Sequence, residues 1–165
     1  MLPIVAAEDP AEDSQILRSV WQLSNALAKR RNAGLTEYGL TGTQSEVISF
    51  LLRHTGQRVS VRDVQDYLMI SHPTVSGTVR RLEAKGLLAQ HKGSGDARRT
   101  YLQLTDEGLR VRGTLRKLGA ASEAALLQGM SEGERAQFAA LLVIARDNLA
   151  GEPSQAGSGD AGAGQ

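Results

Sequence analysis

The chain contains no cysteine. Disulfides, thiol redox sensing and thiolate metal sites are excluded together. Histidine is scarce: His54, His72 and His91 are the only three. None has a ligand-spaced partner nearby, so neither a metal site nor a cofactor is expected. No run of about 18 apolar residues exists, and no membrane span is expected. The N-terminus lacks the basic start and continuous apolar segment of a signal peptide, which makes the cytoplasm the expected location. Lys92-Gly93-Ser94-Gly95 lacks the residue order of a phosphate-binding loop, and no serine–histidine–carboxylate arrangement is readable. Catalysis is not expected. Strong net charge is missing too, at +1 over 165 residues.

The charge that is present is unevenly placed. Residues 1–15 hold Glu8, Asp9, Glu12 and Asp13 without a Lys or Arg. Residues 71–99 hold Arg80, Arg81, Lys85, Lys92, Arg98 and Arg99 against Glu83 and Asp96. A local basic patch on a near-neutral chain suits site-directed nucleic-acid binding better than a general polycation does. The patch begins with a helical pattern over 71–85. Ser71 suits an N-cap, Pro73 falls in the first turn, Val75, Val79 and Leu82 share an apolar face, and Gly86 stops the helix. The opposite face carries Thr74, Ser76, Gly77, Thr78, Arg80, Arg81 and Lys85. Two short strands follow, Leu87–His91 and Thr100–Leu104, around a glycine-rich tip that ends in Arg98 and Arg99.

Other segments frame this stretch. Residues 1–12 read as a loose arm. Residues 13–34 read as a helix with Ile16, Leu17, Val20, Leu23 and Leu27 on one face, ending at Gly34. Trp21 lies beside that face, either packed or next to a ligand cavity. A second helix starts at Thr41 or Thr43, because Thr41 with Gln44 and Thr43 with Glu46 are competing capping boxes. Val47, Ile48, Leu51 and Leu52 form its buried face. Residues 58–60 suit a short strand. Ser60 with Asp63 opens a helix over Val61–Leu68, and Met69-Ile70 turns into the polar-faced helix. Two short helices joined by a tight turn make a helix-turn-helix pattern. Thr105 caps a single helix over 106–127, within which Gly108, Gly113 and Gly119 each cost about 1 kcal/mol relative to alanine. Ser131 with Glu134 opens a closing helix to Leu149. Residues 150–165 bury almost nothing and read as a disordered tail.

The segment from about Leu40 to Gly108 resembles the MarR family of winged helix-turn-helix regulators. The matching residues are Leu40-Thr41 and Gln44, then Ser71, Thr74, Val75 and Ser76, then Leu82-Glu83-Ala84-Lys85-Gly86-Leu87. Asp96 and Arg98 follow in the wing, with Leu104-Thr105-Asp106-Glu107-Gly108 after it. The flanking helices extend the likeness over 13–149. Gln90 departs from it, since the family commonly has arginine there. The resemblance implies a mainly α fold with a small β wing: a winged helix-turn-helix domain over 40–105, with N- and C-terminal dimerisation helices over 13–34 and 106–149. It also implies a two-fold homodimer on a pseudo-palindromic double-stranded DNA operator, and repression released by a small apolar or aromatic effector. Rival expectations are an architectural or constitutive DNA-binding protein without effector, and a protein-interaction module. The expected DNA-contacting residues are Pro73, Thr74, Ser76, Gly77, Thr78, Arg80, Arg81, Arg98 and Arg99. Lys85 is expected on phosphate and Arg98 in the minor groove. Asp96 is expected to support the wing, and Trp21 to mark the effector pocket.

Overall fold

The computed structural model describes residues 14–93 and 96–151. The expected arm over 1–12 and nearly all of the expected tail lie outside the described residues. Two compact units are present, divided after Leu126.

The first unit opens with α1, Ser14–Leu35, and a short 3-10 turn, Thr36–Tyr38. Gly34 does not end α1. The helix runs one residue further, and Gly39, at φ 62°, closes the 3-10 turn. Gly34 instead provides clearance: a Cβ there would come 2.9 Å from Leu118 Cδ2.

Helix α2 spans Gly42–Arg53. The capping contest is won by Thr41, whose hydroxyl accepts from the Gln44 amide while the Gln44 side chain accepts from Thr41 N–H. Glu46 is drawn away by Arg31 of α1, which binds both Glu46 and Ser45. Strand β1 is Val59–Ser60, followed by α3, Val61–Leu68, opened by the expected Ser60–Asp63 box. Met69 takes the left-handed conformation at φ 53° and turns the chain into α4, His72–Ala84.

Strands β2, Leu88–Gly93, and β3, Asp96–Leu104, form an antiparallel hairpin longer than the sequence pattern indicates. Together with β1 they make a three-stranded sheet in the order β1-β3-β2. The core joins three helices to this sheet: Val47, Ile48 and Leu51 of α2, Val64 of α3, Val75, Val79 and Leu82 of α4, and Leu88 and Leu102 of the strands. Burial of such a side chain contributes about 1.5–3 kcal/mol. This packing fixes the exposed side of α4.

The helix expected over 106–127 is broken at Val111 into α5, Asp106–Arg110, and α6, Arg112–Leu126. Val111 packs on the core, and beyond the break Leu115 is buried and Leu118 partly so. Of the three costly glycines, Gly108 has a steric reason, because a Cβ would fall 2.0 Å from the Leu87 carbonyl oxygen. Gly113 and Gly119 have open space beside them.

The second unit holds α7, Glu132–Ala150. The Ser131 amide and hydroxyl both donate to Glu134 Oε2, at 2.8 and 2.7 Å, completing the expected capping box. These bonds hold the Glu134 carboxyl below its ordinary pKa, the side-chain bond being the larger cause. Leu141, Leu142, Val143, Ile144 and Leu149 are all exposed. No described helix is long and apolar enough to cross a membrane.

Candidate nucleic-acid interface

Helix α4 turns its valines and Leu82 into the core, which leaves a polar strip outside. His72, Pro73, Thr74, Arg80 and Arg81 are exposed, while Ser76 and Gly77 are half-buried. Ser71 occupies the N-cap position, but its hydroxyl pairs with the Thr74 hydroxyl at 2.7 Å and caps no amide. Pro73 lacks the amide that such a cap often uses. The helix start therefore presents a linked pair of hydroxyls.

One expected contact is corrected by this geometry, and a second residue has partners of its own. Thr78 is 1% exposed, and its hydroxyl donates to the Thr74 carbonyl at 2.8 Å. It faces the core between Val75 and Val79 and cannot reach a base edge. Period 3.6 places position 78 at the border of the two faces, and only the packed sheet and helices decide which side it takes. Lys85 bonds the Gly39 carbonyl and, at 3.3 Å, Gln44 Oε1. It ties the end of α4 to the start of α2. Gln90, the departure from the expected arginine, donates to Glu83 at 2.7 Å and joins β2 to α4.

The hairpin carries Asp96, Arg98 and Arg99 on β3. Their side chains lie outside the described ones. Beside the hairpin base lies a groove of about 750 Å³, walled by residues of α3, α4, β2 and β3 together with Arg58. Ser76 alone of its walls is among the expected DNA-contacting residues; the others, scattered from 58 to 101, share no local pattern.

A helix-turn-helix whose second helix has a free polar face, backed by a three-stranded sheet with a long hairpin, is a winged helix. The MarR family model matches residues 38–99, from the turn before α2 to the arginines of the hairpin. The chain has a winged helix-turn-helix fold, and its residues 38–99 are similar to the MarR family.

Curated relatives extend the family match. An HTH-type transcriptional regulator of Bacillus subtilis, YwoH, is 30% identical over 92 residues, covering 56% of this chain and 65% of the relative. FarR of Neisseria gonorrhoeae, also an HTH-type transcriptional regulator, is 34% identical over 87 residues, covering 53% and 58%. The chain thus spans less than two thirds of the length of either relative. The fold extends further than these matches. The crystal structure of the S. aureus MepR–DNA complex superposes with a TM-score of 0.75 at 23% identity, covering 83% of this chain and 98% of the other.

A cleft of about 700 Å³ opens between α1, α2 and α6. Leu27, Leu52, Leu118 and Leu126 line it together with Arg30, Arg31, Arg53, Arg112 and Arg116. Trp21, expected to mark an effector pocket, is not on this wall. It is 69% exposed on the outward face of α1. Ile16, Leu17 and Val20 beside it are also more than half exposed, so Trp21 belongs to an apolar stripe. A pocket between the winged lobe and the flanking helices is what the resemblance implies, but the cleft's arginines come from three helices and share no local pattern that would name them. His54 is occupied by structure: its Nδ1 bonds the Phe50 carbonyl at 2.8 Å and its ring lies 4.2 Å from that of Phe50.

Proposed function

We propose that the protein is a sequence-specific DNA-binding transcriptional regulator that acts in the cytoplasm as a two-fold homodimer. The observation that carries this reading is the exposed strip of α4, from Pro73 to Arg81, beside a long hairpin that holds Arg98 and Arg99. Thr74 and Ser76 are short enough to let the helix approach base edges, Pro73 can meet a thymine methyl, and Gly77 leaves room for the backbone. Arg80 reads a guanine edge and Arg81 holds phosphate. Arg98 enters the minor groove, where narrow A·T-rich sequence concentrates negative potential, Arg99 holds phosphate, and Asp96 supports the wing. That MepR was solved bound to DNA supports a common docking mode.

Dimerisation is supported by the apolar stripe of α1 and the exposed leucines of α7, which a lone chain leaves in water. Two copies related by two-fold symmetry present two copies of α4 to a pseudo-palindrome. A duplex selected by the protein from a random pool tests the reading. Anisotropy titrations should give tighter binding to that duplex than to its scrambled counterpart at matched salt. Equal affinity for both would leave only architectural binding.

Repression relieved by a small apolar or aromatic effector is supported by the leucine-walled cleft between α1, α2 and α6. It abuts the α1–α2 contact made by Arg31 with Ser45 and Glu46, so an occupant can shift the DNA-binding lobe against α1. Titrating aromatic carboxylic acids into the protein–DNA complex should release DNA from the wild type and release less from Arg116→Ala. Failure of every acid to release DNA would favour constitutive binding.

A further inference from the structure

The groove of about 750 Å³ beside the hairpin has a definite chemistry. Its walls carry Arg58, Arg62, His72, Ser76, Thr100 and Tyr101. The Arg58 guanidinium lies 5.7 Å from the centroid of the Tyr101 ring. Tyr101 is half-buried and pinned between two strands, opposite Ser60 on β1 and His91 on β2. The ring is thus a fixed platform, and the cation above it is held by the ring's negative face. Asp63, the acidic member of the wall, is already engaged: its Oδ2 accepts from the Ser60 amide at 2.7 Å and the Ser60 hydroxyl at 2.8 Å. Arg62 meets Asp66 at 3.7 Å in an exposed pair that solvent screens. The groove is therefore cationic at Arg58 and Arg62, carries donors at Ser76, Thr100 and Tyr101, and has the carboxylate of its wall, Asp63, turned to Ser60.

Its position gives it an occupant. A recognition helix in a major groove and a hairpin in the adjoining minor groove are separated by one sugar–phosphate strand, which must pass between them. The groove lies between the first turns of α4 and the hairpin base. We propose that it seats the phosphate strand dividing the two DNA grooves, with Arg58 as its main phosphate contact and Tyr101 as the residue that positions Arg58. The proposal rests on the DNA-binding reading above.

Arg58→Gln, Tyr101→Leu and Tyr101→Phe test it by anisotropy on the selected and scrambled duplexes across a salt series. Each phosphate contact contributes about 0.9 to the slope of log affinity against log salt, so Arg58→Gln should flatten the slope by about 0.9 per protomer engaged. Affinity at about 0.15 M salt should fall roughly tenfold on both duplexes alike, because phosphates carry no sequence. Tyr101→Leu should flatten the slope in the same direction, and Tyr101→Phe, which keeps the ring, should restore it. Wild-type slope and affinity in Arg58→Gln, or a loss confined to the selected duplex, would overturn the proposal while leaving the DNA-binding reading intact. A wild type that binds neither duplex would refute both. If Tyr101→Leu melts early in circular dichroism, Arg58→Gln and Tyr101→Phe still decide the outcome.

Discussion

Replacing Gly108 with alanine puts a methyl group where the chain has left no room for one. The new Cβ would sit 2.0 Å from the Leu87 carbonyl oxygen, 3.1 Å from its carbon and 3.2 Å from Leu104 Cδ2. The first contact is more than an ångström inside ordinary van der Waals distance, and it meets backbone that no rotamer change can move. Helix α5 must lift from the end of α4 and the start of β2. Two bonds then stretch: the Thr105 amide to the Leu87 carbonyl at 3.2 Å, and the Thr105 hydroxyl to the Gly86 carbonyl at 2.6 Å. Overpacking of this kind costs about 1–3 kcal/mol. The two bonds add about 2 kcal/mol if both are lost. Helix propensity returns about 1 kcal/mol for Gly to Ala. The net expectation is a loss of about 2–4 kcal/mol, with Gly113→Ala as control, since open space beside it leaves only the propensity gain. Urea unfolding followed by far-ultraviolet circular dichroism, at one fixed protein concentration, measures both. DNA affinity should fall with stability in Gly108→Ala, because α5 anchors the base of the hairpin through Thr105. A Gly108→Ala protein as stable as Gly113→Ala would refute the close approach between α5 and Leu87.

Three further outcomes are expected. Thr78→Val should keep the DNA sequence preference at a stability cost of about 1 kcal/mol or less, because Thr78 is in the core and bonds only its own helix. Thr74→Ala should blur that preference, and selection profiles of the two variants would show the reverse if Thr78 faced DNA. Leu17→Arg, on the exposed stripe of α1, should leave each protomer folded but shift sedimentation from dimer to monomer; an unchanged dimer would move the interface elsewhere. Glu134 has a folded pKa lowered from 4.5 by its bonds to Ser131, so its contribution to the α7 cap is fully present above that value and is lost as pH falls through the lower folded value. Carbon-13 titration should place its midpoint below that of the same residue in an unstructured peptide, and Ser131→Ala should erase the difference.

Much of the architecture was legible along the chain because its signals are local. Capping at Ser60, Thr105 and Ser131, the apolar spacing of Val75, Val79 and Leu82, and the stop at Gly86 each depend on residues within a turn or two of one another. The same locality explains what stayed hidden. Thr41 and Thr43 are equal candidates until Arg31, on another helix, takes Glu46. The break at Val111 follows from α5 packing flush on Leu87 and from Leu115 turning into the core, neither of which a helical repeat records.

By itself the sequence determined the element order from α2 to β3, the polar-faced helix, the basic hairpin and the lack of thiol chemistry, since composition and short-range periodicity suffice for all of them. Only tertiary structure decided that Thr78 belongs to the core, that Lys85 is engaged with Gly39 and Gln44, and that Trp21 stands away from the cleft. The groove that joins Arg58 to Tyr101 was also decided there. The physical reason is common to all four. A side chain's direction is set by what its element packs against, and those neighbours lie tens of residues away along the chain.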